Sequence, residues 1–210
     1  VVYAYAPPEL CSSLLAQPPN EFNDDQSPPL RVILAMHGYG GQAVQEIHKW
    51  RDAAAALDAM ILAPEGTMTP SEERLGWNAV ECCGDPVVNE VDDVDFILNG
   101  AVEPFLKALE HRGDDGGDGG DGLKEWRQGG YNVIATGFSN GGFMSSLLGL
   151  LHGDGRPPWL AGIVPTGGYQ YDMKLYGGAR PLPVMSHHGG QDSTVDPEGC
   201  CASSADGQSN

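Results

Sequence analysis

Arg31-Val32-Ile33-Leu34-Ala35-Met36 is the clearest pattern in the chain, an almost unbroken apolar run of the kind a strand shows when both of its faces are covered. It stops at the turn sequence His37-Gly38-Tyr39-Gly40-Gly41. Val44, Ile47, Trp50, Ala54 and Leu57 then recur at helical spacing and predict an amphipathic helix, followed by the short strand Met60-Ile61-Leu62-Ala63 and its closing turn Pro64-Glu65-Gly66. Val91, Val94, Ile97, Leu98, Val102, Phe105 and Leu109 predict a second helix of about five turns, kinked at Pro104. Tyr131-Asn132-Val133-Ile134-Ala135 reads as a strand and Phe143 to Leu151 as a buried helix. Ala161-Gly162-Ile163-Val164 and Leu182-Pro183-Val184-Met185-Ser186 are two further strand candidates, and Val1 to Ala6 is an edge strand stopped by Pro7-Pro8. Strands alternating with helices imply βαβ units, hence an α/β fold with a mostly parallel sheet and helices on both faces.

Two stretches lack any such pattern. Gln17 to Pro29, rich in proline, Asn and Asp, is a surface loop. Gly113 to Gly122 mixes Gly with Asp in the manner of calcium-binding glycine-rich repeats, but those stack several turns and this is one short run. It is read instead as a flexible, solvated loop over residues 113–122, joining the second helix to the next strand, and no metal or other cofactor is called for.

Composition sharpens the picture. At 210 residues the chain is read as one domain over 1–210, and 30 glycines with 16 prolines mark a loop-rich protein rather than a helical bundle. A net charge of −18 argues against nucleic acid and anionic membrane surfaces as partners, and no apolar run is long enough to span a bilayer. Five cysteines, including the adjacent pairs Cys82-Cys83 and Cys200-Cys201, lack metal-ligand spacing with histidines and read as disulfide partners in an oxidising, extracellular setting. Adjacent cysteines seldom bond to each other, so each pair is expected to reach elsewhere, and the odd count leaves one thiol over. The chain begins at Val1 without a basic-then-apolar leader, so a signal peptide is read as removed or as lying outside this sequence.

Candidate chemistry centres on Gly137-Phe138-Ser139-Asn140-Gly141. In so glycine-rich a chain the pattern alone is weak, and its flanks decide: a β-prone run before it and a long apolar helix after it give the strand–turn–helix of a nucleophile elbow, with Ser139 as nucleophile. The orienting acid should follow at a strand end. Asp192 fits, just past Val184-Met185-Ser186-His187-His188, with Asp196 second and Asp172 third. For the oxyanion, the N–H of Asn140 supplies one donor and the turn after the first buried strand the other, Tyr39 first and Gly40 as alternative. His37 is read as holding that loop rather than as a base. Trp77 is a candidate substrate-stacking surface, with an ordinary core role as the alternative. The base itself is missing: His187 and His188 stand too close to Asp192 in the chain to be bridged by it to Ser139, and His48, His111 and His152 read as surface residues.

In order along the chain, His37-Gly38-x-Gly40-Gly41, Ala63-Pro64-Glu65-Gly66, Gly76-Trp77-Asn78, Cys82-Cys83-Gly84, Val91-Asp92-Asp93-Val94-x-Phe96, Ala135 to Gly142, and His188-Gly189-x-x-Asp192-x-x-Val195 resemble the secreted α/β-hydrolase esterases. That group includes feruloyl esterases, acetylxylan esterases and polyhydroxybutyrate depolymerases. The resemblance implies an α/β-hydrolase fold and a serine esterase acting on a small-molecule or polymeric ester. It implies Ser139 as nucleophile, Asp192 as acid, and His188 as part of a strand-end signature rather than the base. Feruloyl-type polysaccharide esters are the leading substrate class and a polyester the alternative. The family's base lies in a later Gly-His segment with no counterpart here. One account places the base and the last strand and helix beyond residue 210; the other makes the chain a non-catalytic homologue. Loss of the base from such a triad removes about 10⁴ to 10⁶ of turnover.

Overall fold

The computed structural model describes residues 1–16, 29–68, 73–80, 82–110, 130–151, 157–169 and 181–195. In chain order its elements are β1 (Val2–Tyr5), α1 (Pro8–Ala16), β2 (Leu30–Met36), α2 (Ala43–Ala56), β3 (Ala59–Pro64), β4 (Thr67–Met68), β5 (Leu75–Gly76), α3 (Asp85–Val88), α4 (Asp93–Asp95), a π-wound segment (Phe96–Val102), α5 (Glu103–Glu110), β6 (Tyr131–Phe138), α6 (Asn140–Leu150) and β7 (Leu160–Thr166). The main sheet runs β1-β3-β2-β6-β7, all neighbours parallel except the antiparallel edge strand β1, and β4 and β5 form a separate two-stranded ribbon.

The unbroken apolar runs are explained by helices on both faces. In β2, Val32, Leu34 and Met36 point into a core shared with Leu106 of α5 and Met144, Leu147 and Leu148 of α6. The alternate residues Ile33 and Ala35 point the other way and, with Ile61 of β3, pack on Ile47, Trp50 and Ala54 of α2. Period-two alternation on a strand buried on both sides leaves no polar face to read. A mostly parallel sheet in this order, with the β6–α6 elbow on an interior strand, is the α/β-hydrolase fold.

Several local expectations take a different form. Pro8 opens α1 rather than only ending β1, because a helix's first residues have no intrahelical acceptor for their N–H groups and lose nothing to proline. The irregularity expected at Pro104 is a π-wound stretch ending at Val102, where the Glu103 N–H reaches back to the Leu98 carbonyl. Residues 182–187 do not form a full strand: they join β7 through two parallel bridges, Ile163 with Val184 and Thr166 with His187. Proline at 181 and 183 removes donors there, and Val184 and Met185 remain 60% exposed. Cys82 and Cys83 lie side by side, and Cys11 is a free thiol. The 113–122 loop, the loop from Gln17 to Pro28, and Cys200 and Cys201 lie outside the described residues. No helix among the described residues is long and apolar enough to cross a membrane.

Candidate active site

β6 delivers Ser139 to the C-terminal edge of the sheet, the edge at which ligands meet parallel α/β sheets. Ser139 has φ 53° and ψ −118°, a conformation an L-residue adopts only when its surroundings impose it. Here they do: its N–H donates to the Thr166 carbonyl of β7 at 2.8 Å, and its carbonyl accepts from Phe143 N–H at 2.9 Å to start α6. A side chain at Gly141 would collide with the Met36 carbonyl, and one at Gly137 with the Gly141 backbone, so both glycines are needed for helix and strand to close this tightly. Ser139 is thereby left partly exposed at the mouth of α6.

The first N–H groups of α6, Asn140 among them, have no intrahelical acceptor and can meet a developing negative charge. Opposite them lies the turn after β2, where a Cβ on Gly38 would sit 3.7 Å from the Ser139 Cβ. Within that turn the structure separates the two candidates. The Gly40 N–H is engaged by the Leu75 carbonyl at 2.7 Å, whereas the Tyr39 N–H has no backbone partner among the described residues. Tyr39 is the donor that stays available. His37 holds the turn from beneath: fully buried, it accepts the Gly66 N–H at Nε2 (2.9 Å), and its Nδ1 donates to the Gly38 carbonyl (2.8 Å). Burial pushes its pKa below the usual 6.5, so the ring stays neutral and both nitrogens are spent on backbone.

Segment 75–78 ties these pieces together. The Trp77 N–H donates to Asn140 Oδ1 at 2.7 Å, and Asn140 Nδ2 returns bonds to the carbonyls of Trp77 and Cys82, each at 3.0 Å. The Trp77 indole N–H donates to the His37 carbonyl at 2.9 Å. Trp77 is 0% exposed, and its ring lies 5.0 Å from that of His37, centroid to centroid. It therefore offers no face to a substrate, and the stacking role expected of it gives way to the core alternative. The buried side chain of Asn140 ties the start of α6 to this segment, a contact the sequence alone does not announce. A polar residue forced into an otherwise apolar helix start was the available signal.

Across the cleft, Asp192 Oδ1 accepts the N–H groups of Thr194 (2.9 Å) and Val195 (3.0 Å). These bonds, Val195 first and Thr194 second, hold its carboxyl below the ordinary carboxylate range, so it is ionised at neutral pH. His188 braces the same turn: its Nε2 lies 2.7 Å from the Val195 carbonyl and 3.4 Å from Asp192 Oδ2. Because a carbonyl only accepts, Nε2 carries the proton, while the buried Nδ1 has no hydrogen-bond partner among the described residues. A cleft of about 680 Å³ is lined by Phe138 of the elbow, His187 and Asp192. Gly167 floors it, with an added Cβ falling 3.3 Å from the Phe138 ring and 3.8 Å from Asp192 Oδ2. Ser139, Tyr39, Asn140 and Asp192 thus share one end of the sheet. His48 is exposed on α2; Asp172, Asp196, His111 and His152 lie outside the described residues. Among the described residues no cluster of three or more His, Cys, Asp or Glu side chains forms a metal site.

No protein-family model matches the chain, and no curated protein matches it. Among solved structures, the chain is similar to esterase PE8, at 22% identity over 82% of this chain and 74% of that one, with a TM-score of 0.49. It is also similar to the protein Atu2452 of unknown function from Agrobacterium tumefaciens str. C58 (17% identity, 78% and 83% covered, TM-score 0.41). A thermostable esterase is a third (14% identity, 91% and 55% covered, TM-score 0.38).

Proposed function

We propose that the chain is a serine-dependent carboxylic ester hydrolase working through an acyl-enzyme on Ser139. The observation that carries this reading is the positive-φ backbone of Ser139, which presents its hydroxyl beside unengaged helix-start amides, next to a cleft that the neighbouring Phe138 lines together with the ionised carboxylate of Asp192. In this scheme the Ser139 oxygen attacks the ester carbonyl as its proton passes to a base. The N–H groups of Asn140 and Tyr39 receive the oxyanion, and the alcohol leaves with the proton returned by the base. Water then repeats the sequence on the acyl-enzyme. Asp192 orients the base imidazole in this scheme, a part that His37 cannot take because both of its ring nitrogens are bonded to backbone.

The ester proposed is a feruloyl-type ester of plant or algal polysaccharide met outside the cell, supported by the order of motifs and the cysteine usage. A polyhydroxybutyrate-type polyester is the alternative, and aryl-ester and polyester turnover measured side by side separates the two. The engagement of both His37 ring nitrogens equally favours a second reading, a binding protein that keeps the fold without a base. A fluorophosphonate probe decides between enzyme and binding protein: the natural full-length protein should gain an adduct at Ser139 that Ser139→Ala lacks. Absence of any adduct overturns the enzyme reading.

A further inference from the structure

Asp93 is 1% exposed and does not line the cleft, yet it is a carboxylate. One oxygen accepts the Asn78 N–H at 2.6 Å and the other the Thr67 hydroxyl at 3.4 Å. The Asn78 side chain meanwhile donates to the Val91 carbonyl at 2.9 Å, so both bonds fasten the same stretch to the start of α4. That stretch, residues 75–78, touches every part of the oxyanion site in turn. The Leu75 carbonyl holds Gly40, Gly76 packs against the Tyr39 ring, and the Trp77 backbone is paired with the Asn140 side chain. No other described segment bonds to both the turn after β2 and the start of α6 in this way. Burial raises the Asp93 pKa, as expected for a carboxylate retained here despite its desolvation cost.

We infer that Asp93 is a positioning residue for the oxyanion site, holding segment 75–78 as the strut that sets the spacing between the Tyr39 and Asn140 N–H donors. This rests on the esterase reading for its catalytic consequence. It needs an acceptor at position 93 rather than a charge: Asn presents a carbonyl to Asn78 N–H, Ala presents nothing. With Asp93 lost, Asn78 N–H is unpaired and the strut relaxes, taking both donors off the oxyanion position. A misplacement of that kind costs about 10²-fold in turnover.

The test compares wild type, Asp93→Asn and Asp93→Ala in the natural full-length protein, with kcat and KM on an aryl ester read well below each Tm. Amide hydrogen exchange at Gly40 and Trp77 is followed in the same samples. Asp93→Ala should lower kcat about 10²-fold with KM within about twofold, and speed exchange at both amides. Asp93→Asn should recover kcat to within about threefold of wild type and restore exchange, since the acceptor is kept. Should Asp93→Ala not fold, Asp93→Ser, a shortened acceptor, takes its place in the comparison. A variant that loses Tm but keeps kcat, or equal losses in Asn and Ala, overturns the proposal. So does unchanged exchange in Asp93→Ala, whether or not the protein is active. Wild type inert towards every ester overturns the esterase reading instead.

Discussion

On the nucleophile side of the cleft, Ser139 is fixed by two backbone bonds, Asn140 is buried with three side-chain bonds, and Trp77 and His37 are sealed beneath them. On the acid side, Asp192 sits on a half-exposed turn held by its own two amide bonds and by His188, beside a segment joined to the sheet through only two bridges. In the proposed mechanism the difference follows from what each group must do. Oxyanion donors act by being already in place, so they belong to the rigid core, where stability and turnover are coupled. An orienting carboxylate needs its charge and its lone pairs, which a partly solvated turn with two amide donors supplies.

This contrast can be broken most sharply at the centre. Ser139→Ala should remove about 10⁶ of turnover and all fluorophosphonate labelling without lowering Tm, since the hydroxyl makes no hydrogen bond among the described residues. Asp192→Asn comes next: the amide oxygen still accepts from Thr194 and Val195, so kcat should fall about 10⁴-fold while the urea midpoint holds. Asn140→Ala is the opposing case, leaving the Trp77 N–H and the Trp77 carbonyl without their partner inside the core. It should cost about 3 kcal/mol in urea unfolding together with about 10²-fold in kcat. A loss of activity at Asn140 with no loss of stability would erase the distinction between the two sides.

The smallest effect is on pH. His37 has a folded pKa below its unfolded 6.5, so between the two values the unfolded chain binds the extra proton. The stability it contributes is therefore full above about 6.5 and declines as pH falls through that window. Urea midpoints taken at stepped pH should decline on acidification in wild type and decline less in His37→Gln. Parallel curves would mean that His37 is not the group responsible.

Much of this was legible in the chain. The strands β2, β3, β6 and β7 announce themselves as apolar runs because both faces are covered, and the elbow follows from a strand and a helix on either side of Gly137 to Gly141. What sequence could not show depends on distant partners. Tyr39 and Gly40 are equivalent as adjacent residues, and only the Leu75 carbonyl distinguishes them. Trp77 reads as either surface or core until the buried Asn140 amide is seen facing its backbone. Residues 182–186 carry strand-like side chains, yet the prolines decide how far pairing proceeds.

The two borders of the main sheet have unequal consequences. β1 runs antiparallel along β3 and finishes that border with a short strand. At the other, the backbone of Val184 and Ser186 has no backbone partner among the described residues, and the exposed side chains of Val184 and Met185 are apolar. An extended, sticky and incompletely paired stretch is a template on which a further strand can add. Self-association at high concentration should begin along this border, and a lysine at Val184 should suppress it as measured by light scattering.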